Sequence, residues 1–518
     1  MAWQTRIAMS DERGIGGAEA LSALLDGAPQ SDLALISPED ESPLTYGDLA
    51  EGVGALAARL AGAGVRHGDT VALALPNSAG FVQLLLAVVA LGAAAAPLNP
   101  AYTVDEFGFY LGDVAPRVLV LPASLPNAER AATAKGVRVL RIEEGIGCPP
   151  RLSDDGGEDI CPASPVEAGG PEDVAIVLHT SGTTSRPKQV PLRQRNLMAS
   201  ARTIAACYRL GRGDVSFCVM PLFHVHGLVA STFAALAGGG SIVVPKRFTP
   251  HRFWPQARDR GVTWFSAGPT LHRMILDKKD DAGAARSLRF ARSCSSALPP
   301  ALMALAEESY GVPVLEAYGM TEASHQMASN PLPPAERRRG SVGVATGTEI
   351  AVIDDGLRFL PPGSSGEVVV RGPGVTPGYV NNPEANAQSF FDGWFRTGDQ
   401  GSLRGGYLVL EGRLKEMINR GGEKVSPAEV EEVLASHPAV GEAVVFGIED
   451  AKYGEQPAAA VTLVAELDPA ELVAYAKERL AAVKVPSRIW VLETIPRTPT
   501  GKVQRRRVAA HVAGSTPS

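Results

Sequence analysis

Apolar positions along the chain alternate between a helical and a strand-like period. Tyr46 to Leu60 carries apolar residues at helical spacing, Thr70 to Leu75 reads as a strand, and Ser78 stands where a hydroxyl caps the next helix. Phe81 to Leu98 is nearly continuous apolar sequence, but it contains Gln83 and Gly92, is rich in alanine and ends at Pro97, which predicts a buried helix and not a membrane span. Gly238-Gly-Gly240 divides Leu228 to Val244 into a helix and a strand. Val174-Ala-Ile-Val-Leu178 is short, uninterrupted and largely β-branched, as expected of a buried strand that delivers the following residues to a surface. This alternation predicts α/β layers. From Ile142 to Asp173 the chain turns rich in Gly, Pro and acidic residues, which bury too little apolar surface to offset ordering entropy, and it reads as a long surface loop.

The last hundred residues form a second pattern. Ser426-Pro-Ala-Glu429 has a hydroxyl at the cap, proline at the first helical position and glutamate three residues after the cap, the arrangement of a capping box, and Asp468-Pro-Ala-Glu471 repeats it. Ala443 to Ile448 and Ile489 to Leu492 read as strands. A small α+β domain is expected here, with its boundary near Gly412-Arg-Leu-Lys415. At 518 residues the chain is too long for one ordinary core.

Charge narrows the functions. A net charge of -7 argues against a generic nucleic-acid or anionic-membrane binder, both of which need a basic surface, while leaving room for a local basic pocket. Cys148, Cys161, Cys207, Cys218 and Cys294 are odd in number and widely spaced, which suggests reduced thiols and neither a disulfide framework nor a zinc site. Met1 to Gly17 lacks the apolar centre of a secretory signal. A cytoplasmic enzyme is the expectation.

The chemistry-bearing stretch follows the Val174–Leu178 strand. His179-Thr-Ser-Gly-Thr-Thr-Ser-Arg-Pro-Lys188 gathers hydroxyl donors at Thr180, Ser181, Thr183 and Thr184, a close-approach glycine at Gly182 and a cation at Lys188, a grouping suited to a phosphate chain. It lacks the Gly-Lys-Ser/Thr ending of the usual nucleoside-triphosphatase loop. Further along come Pro221-Leu-Phe-His-Val-His-Gly227, Tyr318-Gly-Met-Thr-Glu322, Arg396-Thr-Gly-Asp399, Gly412-Arg-Leu-Lys415 with Asn419-Arg-Gly-Gly-Glu-Lys424, and Pro499-Thr-Gly-Lys502. In this order and spacing, over Thr45 to Arg507, the set resembles the adenylate-forming superfamily of acyl-CoA synthetases.

The resemblance implies an α/β protein with a large, multi-subdomain N-terminal AMP-binding domain over residues 1–412, a hinge at 413–415 and a smaller mobile α+β domain over 416–518. It implies ATP and CoA as cosubstrates of a small carboxylic acid, and an acyl-adenylate intermediate. Carboxylates need such activation because hydroxide is a poor leaving group. By the same resemblance Glu322 binds Mg2+, a hard ion suited to oxygen ligands. Thr321, Tyr318 and Gly319 line the nucleotide, Asp399 and Arg413 hold the ribose, and Lys502 is the catalytic lysine of adenylation. Lys415 is the hinge, Gly421 and Gly422 border the CoA tunnel, and His224 gates the acid pocket.

The residues around the acid are polar. His226, Ser295 in Arg292-Ser-Cys-Ser-Ser296, and His325 in Thr321-Glu-Ala-Ser-His325, together with Gln326 to Pro331 and Gly378 to Pro383, resemble the oxalate-CoA ligases. A small dianion needs donors for the carboxylate that does not react, and a nearby anion is expected to favour charged histidine. Malonate and medium-chain acids stand as alternatives, as do loading of a carrier-protein thiol and a non-catalytic nucleotide-binding role. Gln189 departs from the superfamily, where glycine usually follows the lysine; if the site needs a positive φ, glutamine is strained there. Oligomeric state is open.

Overall fold

Three sheets organise the chain. The computed structural model describes residues 19–39, 42–144, 149–164, 168–180, 187–278, 283–421, 423–497 and 503–513, with the side chains of 42 and 424 excepted. A seven-stranded sheet runs Arg151–Asp154, Arg138–Glu143, Val118–Leu121, Thr70–Leu73, Ala94–Pro97, Val174–Thr180, Lys188–Arg193 in spatial order, parallel at its centre and antiparallel at both edges. A fourteen-stranded sheet has a parallel half, in which Val215–Phe217, Trp264–Ala267, Phe290–Ser293 and Val314–Met320 are successive neighbours, and an antiparallel half that begins with His325–Ser329. The third sheet has five strands, all within Ile418–Val491.

The helix Ala79–Ala90 is capped by Ser78, whose Oγ accepts the Phe81 N–H at 3.0 Å. Every residue from Gly80 to Val89 is buried, because helices cover this helix on one side and the seven-stranded sheet on the other. Burying each of its leucines and valines contributes roughly 1.5–3 kcal/mol. Gln83 is accommodated by the neighbouring helix Tyr46–Gly62, where a Cβ on Gly52 would stand 2.0 Å from its amide nitrogen. The expected helix over Phe81 to Leu98 therefore ends early. Gly92 takes a φ of +67°, and Ala94–Pro97 leaves it as a strand. No helix among the described residues is long and apolar enough to cross a membrane.

Two local expectations are corrected. Residues 142–173 are not one loop: Arg151–Asp154 pairs antiparallel with Arg138–Glu143, placing Leu152 opposite Ile142 and burying both. Two apolar residues in register outweigh the polar composition around them. Nor do the late helices carry complete capping boxes. Ser426 accepts from Glu429 N at 3.4 Å and Asp468 from Ala470 N at 2.8 Å, but the Glu429 carboxylate is held instead by Lys484 Nζ at 2.6 Å. Leu228 to Val244 divides as expected at the glycines, into helical His226–Ala237, its first part π-helical, and the strand Ser241–Val243.

Candidate functional site

The stretch expected to bind phosphates begins and ends on two paired strands. Val174–Thr180 and Lys188–Arg193 pair antiparallel with Thr180 opposite Lys188 and His179 opposite Gln189, so the sheet fixes the positions of Thr180 and Lys188. Ser181, Gly182, Thr183 and Thr184 lie outside the described residues. Gln189 is in ordinary extended backbone, so the feared strain does not arise. Its side-chain amide donates to the Asp113 carbonyl at 2.9 Å and carboxylate at 2.8 Å, and His179 Nε2 meets the same carboxylate at 2.8 Å. Asp113 thus ties both strands of the hairpin to the last turn of the helix Val104–Val114.

Lys188 projects over the Tyr379 ring, with its nitrogen 4.4 Å from the centroid. Burial holds its pKa below the usual value and nearby Lys415 adds to this, while Glu322 opposes both. Two cations this close form a positive local environment suited to phosphate oxygens. Glu322 occupies a short 3-10 turn, Thr321–Ala323, and is 8% exposed. Its Oε1 accepts from Tyr379 OH at 3.0 Å and from Thr180 Oγ1 at 3.4 Å. Mg2+ takes one or two carboxylates and completes its shell with phosphate and water oxygens, so a single carboxylate at the end of the phosphate hairpin fits that ion.

Asp399 and Arg413 are opposite one another on adjacent strands, Trp394–Arg404 and Tyr407–Arg413, and Arg413 Nε lies 2.7 Å from Asp399 Oδ1. Tyr318 OH donates to the other oxygen, Oδ2. Burial and this carboxylate push the Tyr318 hydroxyl well above its normal range, so it remains a donor. Gly319 is required by close packing, since a Cβ there would come within 2.1 Å of the His325 carbonyl oxygen. Glu322 and Asp399 are thus joined through the Tyr318–Glu322 segment.

The expected acid-binding residues converge at the carboxyl ends of the parallel strands. His226 Nδ1 lies 2.8 Å from Ser295 Oγ and its Nε2 lies 2.7 Å from Ser266 Oγ, while the rings of His226 and His325 stand 5.0 Å apart. His224 is half-buried against Phe223. Between the two buried histidines runs Arg292, fully buried, which sequence reasoning left out of the site. It donates to Ser266 Oγ at 2.8 Å, Tyr208 OH at 2.9 Å, Gln326 Oε1 at 3.0 Å and His325 Nδ1 at 3.3 Å. Among the described residues no carboxylate pairs with it. A buried, unpaired guanidinium is costly and calls for an anion. Without an anion beside them, these histidines are not charged. Burial first, and the Arg292 charge second, hold both His226 and His325 well below the usual histidine pKa, so both are neutral. Ser295, Ser324 and His325 take φ of +77°, +51° and +96°. Such backbone costs about 1–3 kcal/mol per residue and collects at functional sites.

On the C-terminal side, Lys415 is exposed beside the strand ending at Arg413, and Gly421, at φ +61°, donates its N–H to the Tyr453 carbonyl at 2.8 Å. Gly422 and Lys502 lie outside the described residues. Arg497, five residues before Lys502, reaches Thr270 Oγ1 of the N-terminal region at 2.9 Å.

Residues 25–380 match the AMP-binding enzyme family and residues 429–502 the AMP-binding enzyme C-terminal domain. The chain therefore belongs to the AMP-binding enzymes, among their acid–thiol ligases. It is 43% identical to an oxalate–CoA ligase of Arabidopsis thaliana, over 95% of this chain and 98% of that protein. It is 41% identical to an oxalate–CoA ligase of Saccharomyces cerevisiae, over 94% and 95%. ATP-bound MatB from Rhodopseudomonas palustris superposes with a TM-score of 0.87 at 29% identity, covering 96% of this chain and 99% of that one.

Proposed function

We propose that the chain is an oxalate–CoA ligase, converting oxalate, ATP and CoA to oxalyl-CoA, AMP and diphosphate through oxalyl-adenylate. The observation that carries this reading is Arg292, a fully buried cation without a carboxylate partner among the described residues, set among His226, Ser266 and His325. Oxalate fits because it is short, and because its second carboxylate can accept from this group while the first attacks the α-phosphate. The two oxalate–CoA ligase relatives support the same substrate.

In this reading Thr180, Lys188 and the turn between them hold the β- and γ-phosphates, which keeps the charge of departing diphosphate among cations. Glu322 holds Mg2+, which supplies charge neutralisation to the phosphates. Asp399 and Arg413, with Tyr318 behind them, take the ribose hydroxyls, and Thr321 the α-phosphate. Lys502 bridges carboxylate and phosphate during adenylation. Residues 1–412 and 416–518 act as two domains about the hinge at 413–415, a division supported by the confinement of the five-stranded sheet to Ile418 onward. Turning of the smaller domain brings Gly421 and Gly422 to the CoA tunnel.

The test is a panel of oxalate, malonate, acetate, hexanoate, octanoate and coumarate, read by diphosphate release with and without CoA. Oxalate should give the highest kcat/KM and require CoA for thioester. A preference for hexanoate or octanoate refutes the substrate, and activity solely with a phosphopantetheinylated carrier protein refutes CoA as acceptor.

A further inference from the structure

We propose that Arg292 and Ser266 are positioning residues that fix the direction of the hydrogen bonds running through His226 and His325, so that His325 Nε2 and Ser295 Oγ both face the acid as donors. The inference rests on the oxalate reading for the identity of the acceptor, but its logic begins with a group that cannot accept. A guanidinium is donor-only. Arg292 Nη2 lies 3.3 Å from His325 Nδ1, so that nitrogen must be the acceptor and the proton of the neutral ring sits on Nε2. Nothing among the described residues receives that Nε2 proton.

The second branch passes through Ser266, a fully buried residue of the strand Trp264–Ala267. Its Oγ accepts from Arg292 Nη1 at 2.8 Å, and its other hydrogen-bond partner among the described residues is His226 Nε2 at 2.7 Å. A buried hydroxyl proton needs an acceptor, so Ser266 donates to Nε2. The single proton of neutral His226 is then on Nδ1, which donates to Ser295 Oγ at 2.8 Å. Ser295 is solvent-facing, and with a lone pair already occupied its hydroxyl proton is available to a ligand. Both branches start at Arg292 and both end in a donor.

Two converging donors favour a ligand that accepts at both positions. An ionised carboxylate offers lone pairs to both donors and no proton, whereas an amide N–H or acid O–H turned toward His325 Nε2 would oppose it. The left-handed backbone at Ser295 and His325 holds both terminal groups where rotation of either residue's main chain would break its branch.

The direct test is the histidine tautomer state of the full-length chain, read by long-range ¹⁵N–¹H NMR of ¹⁵N-histidine-labelled protein, with His226→Asn and His325→Asn to assign the signals. His226 should carry its proton on Nδ1 and His325 on Nε2. The opposite tautomer at either ring overturns the proposal. Kinetics provide a second measure. Ser266→Ala should raise the KM for oxalate by about tenfold or more, the effect of misdirecting a hydrogen bond to a charged group, with kcat and the KM for ATP little changed. Ser266→Thr, which keeps the hydroxyl, should restore it. If the wild-type chain activates oxalate and Ser266→Ala leaves its KM unchanged, the positioning role fails while the substrate stands. If oxalate is not activated at all, the substrate reading fails, and the tautomers still decide the hydrogen-bond directions.

Discussion

Glu316 gives the most quantitative prediction. It lies on the strand Val314–Met320 opposite Ser293, is 6% exposed, and accepts the Leu298 N–H at 3.0 Å, closing the segment that presents Ser295. Burial pushes its carboxyl up from 4.5 to about 7, with Glu432 of the helix Pro427–Ala435 adding to the rise and the Leu298 N–H opposing it. The folded pKa is raised, so its stabilisation is fully present below the unfolded value and is lost as pH rises through about 7. At 1.36 kcal/mol per unit, the loss by pH 8 is about 3 kcal/mol. Glu316→Gln keeps an acceptor for Leu298 and removes the charge. Thermal midpoints of the two proteins should therefore nearly coincide at pH 5 and separate by pH 8, the variant melting higher by roughly 3–6 °C for a unit of this size. An offset that is constant with pH, or a variant that melts lower at pH 8, refutes the reasoning.

Three further outcomes follow from the site. Tyr318→Phe removes one of the donors that orient Asp399 and should raise the KM for ATP about tenfold, the cost of a hydrogen bond to a charged group, with the KM for oxalate unchanged in steady-state assays. Gln189→Gly cuts the tether to Asp113 and frees the hairpin base, so the KM for ATP should rise several-fold while the melting temperature stays within a few degrees; unchanged ATP kinetics would show that the tether is idle. Because His226 and His325 are held neutral well below the usual histidine range, the KM for oxalate should be flat from pH 6 to 8. A KM that climbs as pH passes 6.5 would mean that charged histidine binds the acid.

What could be read from the sequence was whatever sits close along the chain. The hairpin around the phosphate turn, the Ser78 cap and the Tyr318–Glu322 segment are local, and their residue types announce their use. The shared ribose role of Asp399 and Arg413 was expected from resemblance alone, and it is strand register that sets them opposite one another. Distance along the chain hid the rest. Gln189 looked like a defect because its partner, Asp113, is 76 residues away. Arg292 stood at the head of the Arg292–Ser296 segment, in which only Ser295 was taken as a site residue. Its meaning depends on having no carboxylate nearby among the described residues and on Ser266 and His325, which come from other strands. One signal was available: an arginine at the centre of a strand buried on both faces needs a partner, and the neighbouring sequence offers none.

Placing the fixed charge on arginine, with histidine as an uncharged intermediary, has a consequence for selectivity. A pocket that relied on charged histidine would lose its attraction for oxalate above about pH 6.5 and would differ little, at higher pH, in its treatment of acids with and without a second carboxylate. Arg292 cannot titrate in that range, so the pocket carries one positive charge whether or not a ligand is present. If Arg292 serves the acid as proposed, a monocarboxylate whose single carboxylate attacks ATP leaves that charge buried and unpaired, while oxalate compensates it with the carboxylate that does not react. On the proposed assignment, discrimination between the two then comes from the penalty of the empty charge. Neutralising Arg292 should accordingly narrow the preference for oxalate over acetate from both sides, by weakening the dianion and by relieving the monoanion.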